Sequence, residues 1–248
     1  MPLPLVTARS SRGGAFAAAP AKPAAASGGV TRQSDLVHWW KFDGDGTDTI
    51  GDADLTLYND AACQTSVKKF GTHALELDGT SDYAATGDGD VTALASAYTF
   101  SFWIRLTSTA GTLPGTVGFY INTSRANATA VEILQHGGVF RYYHAADVDQ
   151  SLTSGTTASI NNWFFLAQTW DGSTVKYWWA DDGGGDASVT EKGNDTINNV
   201  QAGIDTLFVG RSAYSYSKQG YYDDLRLYNV ALSESELNEV YNGGDGDF

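Results

Sequence analysis

From Asp35 onward, apolar and polar residues alternate in short runs. The clearest run sets Tyr98, Phe100, Phe102, Ile104 and Leu106 against Thr99, Ser101, Trp103 and Arg105. A period of two puts each set on its own side of an extended chain. Residues 36–42 read as an earlier strand that ends in an acidic loop, Asp43-Gly44-Asp45-Gly46-Thr47-Asp48. Residues 74–79 and 82–85 follow as short strands. Residues 131–135 and 139–143 flank His136-Gly137-Gly138, and residues 163–170 and 174–179 flank Asp171-Gly172-Ser173. Apolar runs joined by such short glycine-containing links predict hairpins. Residues 206–210 form one more strand. Many short strands between Gly, Asn and Asp turns predict an all-β antiparallel sandwich of two sheets.

The chain closes on a strand that runs into a short helix. Strict alternation over residues 222–228 predicts Tyr222, Asp224, Arg226 and Tyr228 on one face, with Asp223, Leu225 and Leu227 on the other. Ser233 followed by Glu236 has the spacing of a capping box. Leu232, Leu237 and Val240 make an apolar stripe, and Gly243 is a natural stop. A helix of about two turns is too short to persist alone, so it must dock on the sandwich.

Composition divides the chain in two. Residues 1–34 carry Arg9, Arg12, Lys22 and Arg32 and no acid, a net +4; the rest holds 11 basic and 29 acidic residues, a net −18. Residues 15–29 are low-complexity Ala, Pro and Gly with little to bury. Residues 1–34 therefore read as an extended arm, and residues 35–248 as the sandwich. A signal peptide is the rival reading, but the apolar run of residues 15–19 is short for one. An intact Met1 also favours the arm. A domain this acidic repels phosphate backbones, which argues against nucleic acid as a partner. No stretch reaches the length of a membrane span. The lone cysteine, Cys63, allows no intrachain disulfide.

Three chemistries are open. Calcium takes about six to eight hard oxygens. Asp43, Asp45 and Asp48 crowd one loop, and closure of the sheet can bring Asp223 and Asp224 of the last strand near it. That makes these five the candidate metal ligands. Sugar binding uses aromatic faces, and Trp178, Trp179, Tyr214, Tyr216, Tyr221 and Tyr222 are the candidates. Trp178 and Trp179 point to opposite faces, so at least one should leave the core. Glycoside hydrolysis needs two carboxylates about 5–9 Å apart across a cleft. Glu76 and Asp78 share a strand face, but Asp78 falls in a turn, and no convincing catalytic pair emerges.

Five segments in order carry a family resemblance. They are Trp39-Trp40-Lys41-Phe42-Asp43-Gly44, Ala74-Leu75-Glu76-Leu77-Asp78-Gly79 with Asp82-Tyr83, the strand of residues 98–106, the hairpin from Asn161-Asn162-Trp163 to Asp171-Gly172, and the closing strand and helix. Together they resemble the laminin G-like, jelly-roll branch of the concanavalin A-like proteins across residues 35–243. That resemblance implies a jelly-roll sandwich that binds more often than it catalyses, often with calcium near the first and last strands. The arm has no counterpart in the family pattern.

Together these features suggest a non-catalytic structural or adhesion protein of a larger assembly, a virus or phage particle. The arm of residues 1–34 would join other subunits, as a homo-oligomer or a capsid or tail lattice. The exposed sandwich would decorate the virion and bind surface glycans. The alternative is a secreted or cell-surface lectin. A glycoside hydrolase is the third reading.

Overall fold

The computed structural model describes residues 30–91, 94, 96–108, 115–120, 130–136, 139–143, 152–196, 205–211 and 218–246. The strands are β1 (Leu36–Trp40), β2 (Thr56–Tyr58), β3 (Ala62–Gln64), β4 (Ala74–Leu77), β5 (Tyr83–Ala85), β6 (Tyr98–Leu106), β7 (Gly115–Tyr120) and β8 (Ala130–His136). They continue as β9 (Val139–Tyr143), β10 (Leu152–Thr157), β11 (Trp163–Trp170), β12 (Thr174–Asp181), β13 (Thr190–Thr196), β14 (Thr206–Val209) and β15 (Gly220–Tyr228), followed by helix α1 (Glu234–Tyr241). Every pairing among them is antiparallel. One sheet runs β13-β12-β11-β6-β15-β4-β3, with β1 also on β15; the other runs β10-β9-β8-β7-β14-β5-β2. We call them sheets A and B. The expected two-sheet sandwich with one short C-terminal helix is what the chain forms.

The main core lies between the sheets. Tyr98, Phe100, Phe102, Ile104 and Leu106 of β6 enter it together, as the alternation requires. Leu166 and Tyr177 join from sheet A, and Val117, Phe119, Leu207 and Val209 from sheet B. Sheet A also buries its other face. There Leu36, Trp39, Trp103, Phe165, Trp178 and Tyr228 pack beneath Leu237, Val240 and Tyr241 of α1. The Trp103 and Tyr241 rings stack at 5.4 Å. Burying Leu237 and Val240 contributes about 1.5–3 kcal/mol each, which a helix this short needs in order to persist.

The capping box forms: Ser233 accepts from the Glu236 N–H, and Glu236 accepts from the Ser233 N–H. The helix stops one residue earlier than expected. Asn242, not Gly243, takes the left-handed cap at φ 47°. The fold also begins earlier than residue 35. Val30 packs against the cluster under α1, and Arg32 pairs with Glu236 at 3.2 Å. Residues 1–29, the body of the expected arm, lie outside the described residues.

One strand departs from simple alternation. On β15, Asp223 faces Trp103 of β6 and Arg226 faces Ser101, so Asp224 and Leu225 together oppose Phe102. This is a β-bulge, and Asp224 takes a left-handed φ of 50° to make it. The extra residue shifts the faces. Tyr222, Leu225 and Leu227 all enter the main core. Asp223, Asp224 and Arg226 turn together toward the outer face of sheet A. The predicted grouping of Tyr222 with Asp224 and Arg226, and of Asp223 with Leu225, is thereby corrected. At the same place the neighbour of β15 changes from β4 to β1.

Candidate functional site

The gap between β1 and β4 opens a cavity of about 390 Å³ beside the bulge, lined by Lys41, Asp43, Phe70, Gly71, Asp223, Asp224 and Asp245. The expected approach of the first loop to the last strand is therefore real for Asp43, Asp223 and Asp224. Each of these acids already serves the protein. Asp43 accepts from the N–H groups of Thr72 and His73. The chain can turn this close to it because residue 71 is glycine at φ +53°; a Cβ there would overlap the Asp43 carboxylate. Asp223 accepts from the N–H groups of Lys69 at 2.8 Å and Phe70 at 3.0 Å. Burial pushes the Asp223 carboxyl well above the usual carboxylate range, the two N–H groups oppose this, and neighbouring Asp224 adds to the push.

Asp224 anchors a buried ion pair. Its Oδ1 accepts from Arg226 Nε at 2.9 Å and from Trp39 Nε1 at 2.6 Å. Arg226 lies 4.4 Å and Lys41 3.9 Å from the centre of the Trp39 ring.

Asp45 and Asp48 serve elsewhere. Asp45 is exposed and turns its own loop by accepting from the Thr47 N–H. Asp48 is buried. Its carboxylate accepts from the N–H groups of Trp39, Ile50, Gly51 and Ala53, and it meets His38 Nδ1 at 2.6 Å. Burial raises this acid, but His38 and the backbone donors together hold it far below the usual range. Among the described residues no group of three or more His, Cys, Asp or Glu side chains is placed to hold a metal ion.

Of the four expected sugar-binding aromatics among the described residues, three are interior. Trp178 and Trp179 do point to opposite faces, but both faces of sheet A are covered. Trp179 enters the main core and Trp178 the cluster under α1, each with 2% of its surface exposed. Tyr222 is buried in the main core by the bulge. These three cannot present a surface platform. Tyr221 is half-buried, and its hydroxyl donates to Glu76 at 2.8 Å. Tyr214 and Tyr216 lie outside the described residues. Cys63 is half-buried, and burial pushes its thiol up to about 11, which makes it unreactive near neutrality.

A different aromatic group lies on the outer face of sheet B. Leu57 of β2 packs on the main core, so Tyr58 points outward. Tyr83 lies opposite Tyr58 in register, and Phe208 of β14 lies beyond it. The Tyr58 and Tyr83 rings stack at 4.4 Å and 7°. Phe208 sits 6.2 Å from Tyr83, and Tyr120 meets Phe208 edge-on at 5.5 Å. Exposure rises along this row, from 3% at Phe208 to 39% at Tyr58 on the edge strand. Arg211 holds its guanidinium 4.5 Å from the Tyr83 centroid. Tyr58 fills one face of that ring, so Arg211 lies over the other.

Asp82 fastens this edge. It is buried and accepts from the N–H groups of Asp60 at 3.0 Å and Asp78 at 3.1 Å. It thereby ties the end of β2 to the start of β5. Among the described residues, no side chain or backbone group hydrogen-bonds the hydroxyls of Tyr58 and Tyr83 or the Arg211 guanidinium. The sequence signal for this row is faint. Its tyrosines sit in strands of three residues each, where alternation can barely be read.

Comparison with known proteins agrees with this architecture. The family model for the concanavalin A-like lectin/glucanases superfamily, of laminin G type, matches residues 78–238, well over half of the chain. The chain belongs to that superfamily. No curated protein sequence matches it. Among solved structures, it is similar to domain 4 of an extracellular arabinanase from Geobacillus stearothermophilus, solved with arabinotriose. That pair shares 18% identity at a TM-score of 0.61, covering 83% of this chain and 97% of that one. The receptor-binding domain of botulinum neurotoxin mosaic serotype C/D matches at 16% identity and a TM-score of 0.62, covering 85% of this chain. A Trypanosoma rangeli sialidase in complex with 2,3-difluorosialic acid matches at 10% identity and a TM-score of 0.63, covering 87% of this chain. The chain spans about half the length of the toxin domain (51%) and a third of the sialidase (34%). At these identities the likeness is one of fold. No helix among the described residues is long and apolar enough to cross a membrane.

Proposed function

We propose that this chain is a non-catalytic carbohydrate-binding module whose sugar sits at the Tyr58–Tyr83 edge of sheet B. One observation carries the reading: a stacked, outward-facing tyrosine pair whose hydroxyls make no hydrogen bond among the described residues. The C–H-rich faces of a sugar pack on an exposed ring, and its hydroxyls take the free donors. The non-catalytic part is supported by the acids near the other face. Glu76 is engaged by Tyr221, and the cavity acids are engaged by backbone N–H groups, Trp39 and Arg226. The arabinanase domain, a whole domain of matching fold solved with an arabinose trimer, lends the sugar class weight by analogy.

The test is a glycan array followed by calorimetric titration of the hits. The wild-type chain should bind at least one oligosaccharide, Tyr58→Ala should lose it, and the bound sugar should be recovered uncleaved. Retention of every hit by Tyr58→Ala would move the site elsewhere.

The charge split supports an extension of this reading. The basic arm would anchor the acidic sandwich to a particle lattice, with the sandwich displayed on a virion. Deleting residues 1–29 should then abolish incorporation while leaving a folded sandwich. Particles that still carry the shortened chain would sink the anchor. An export route would instead show as an N terminus cleaved near residues 19–26.

A further inference from the structure

We infer that the sugar carries a carboxylate and that Arg211 is the residue that selects it. The inference rests on the site just proposed. The starting point is charge: the chain holds 29 acidic and only 15 basic residues. Four other cations of the described structure pair with carboxylates. Arg226 pairs with Asp224, Lys69 with Asp182, Lys176 with Glu191, and Arg32 with Asp35 and Glu236. Arg211 differs. Among the described residues its side chain meets the Tyr83 ring, and no carboxylate there pairs with it. An arginine with no carboxylate partner among the described residues of so acidic a chain has its hydrogen-bonding fork available for a ligand.

Position gives the fork its meaning. Tyr83 is held between Tyr58 and Arg211, so the three side chains form one row across the edge of the sheet. All three are donors, and a carboxylate is an acceptor with room for several. Contact with the Tyr83 ring also holds the guanidinium in place, which lowers the entropy lost when a ligand binds. One residue of an oligosaccharide packs on Tyr58 while the carboxylate of another residue reaches Arg211. The chain's net charge of −14 disfavours a long polyanion. The fitting ligand therefore carries its acid as an isolated group, as in a terminal acidic sugar.

The experiment uses matched pairs on the full chain: sialyllactose against lactose, and trigalacturonate against its methyl ester. The acidic member should bind about tenfold more tightly, the value of one charge-assisted contact. Added salt should weaken the acidic member alone. Arg211→Gln should erase the difference while leaving the neutral member unchanged, and Arg211→Lys should restore part of it. Equal binding of both members, unaltered by Arg211→Gln, overturns this inference and leaves the carbohydrate reading standing. Silence toward every acidic and neutral sugar overturns both.

Discussion

The outer faces of the two sheets are built from the same residue types and end in opposite states. On sheet A, tryptophans, tyrosines, arginine and aspartates are sealed beneath α1 or engaged by partners. On the edge of sheet B, the polar ends of two tyrosines and one arginine meet no hydrogen-bond partner among the described residues. What separates them is what covers the face. A covered face favours engaged polar groups, because an unmade hydrogen bond there costs more than a made one gains, and only a few atoms such as Trp103 Nε1 go without a partner among the described residues. An uncovered edge can leave donors to water, and so to a ligand. Aromatic content alone does not mark a binding surface, and substitutions on the two faces should behave differently.

The largest effect is expected at the bulge. Arg226 is fully buried against Asp224 and Trp39. Arg226→Ala leaves a buried carboxylate without its cation, which costs about 3–5 kcal/mol. Denaturant unfolding should reveal it as a large fall in midpoint. Replacing both partners, as Asp224→Leu with Arg226→Met, should recover part of the loss, since the orphaned charge is the main penalty. Failure of the double variant to recover would mean that the bulge itself needs Asp224.

Asp48→Asn comes next. The carboxylate accepts from four backbone N–H groups and meets His38, and an amide must turn a donor toward one of these sites. A cost of about 1–3 kcal/mol follows for each group left unmade. The folded acid is held below its unfolded value, so its stabilisation is complete above about pH 4 and is lost as pH falls through the lower folded value. Asp223 has the opposite sign. Its folded value is raised, so its ionisation penalises the fold at high pH, and the penalty fades as pH falls toward about 4. Unfolding measured from pH 2 to pH 8 should therefore show a shallower acid limb in Asp48→Asn. In Asp223→Asn the loss should be small, or a gain, at neutral pH.

How far the sequence revealed these faces follows from the same physics. The β6 alternation and the Ser233 capping box were legible because each depends on local spacing. The bulge was not, because it rests on a left-handed aspartate that no period reveals. Alternation placed Trp178 and Trp179 on opposite faces correctly, yet it could not show that both faces are covered. The convergence of Asp43 with Asp223 and Asp224 was foreseeable from sheet closure, but not that protein donors would already hold all three. Tyr58 and Tyr83 meet through a pairing of two three-residue strands, and only tertiary structure reveals it. Their anchor, Asp82, was visible within a family-like motif without its role being apparent.

The smallest effect on stability tests the comparison most directly. Tyr58 is the most exposed ring of the row, on an edge strand, and its hydroxyl makes no hydrogen bond among the described residues. Surface substitutions of this kind usually change stability by no more than about 0.5 kcal/mol. Tyr58→Ala should therefore unfold at nearly the wild-type midpoint while losing sugar binding. Asp82→Ala should act differently, by loosening the loops that set the Tyr58–Tyr83 stack. It should cost about 1–3 kcal/mol and weaken binding together. If Tyr58→Ala were as destabilising as Asp82→Ala, the tyrosine pair would be a strut of the edge, and sheet B would be as structural as sheet A. If Tyr58→Ala kept its stability and lost only its ligand, the free donors of that edge would be its function.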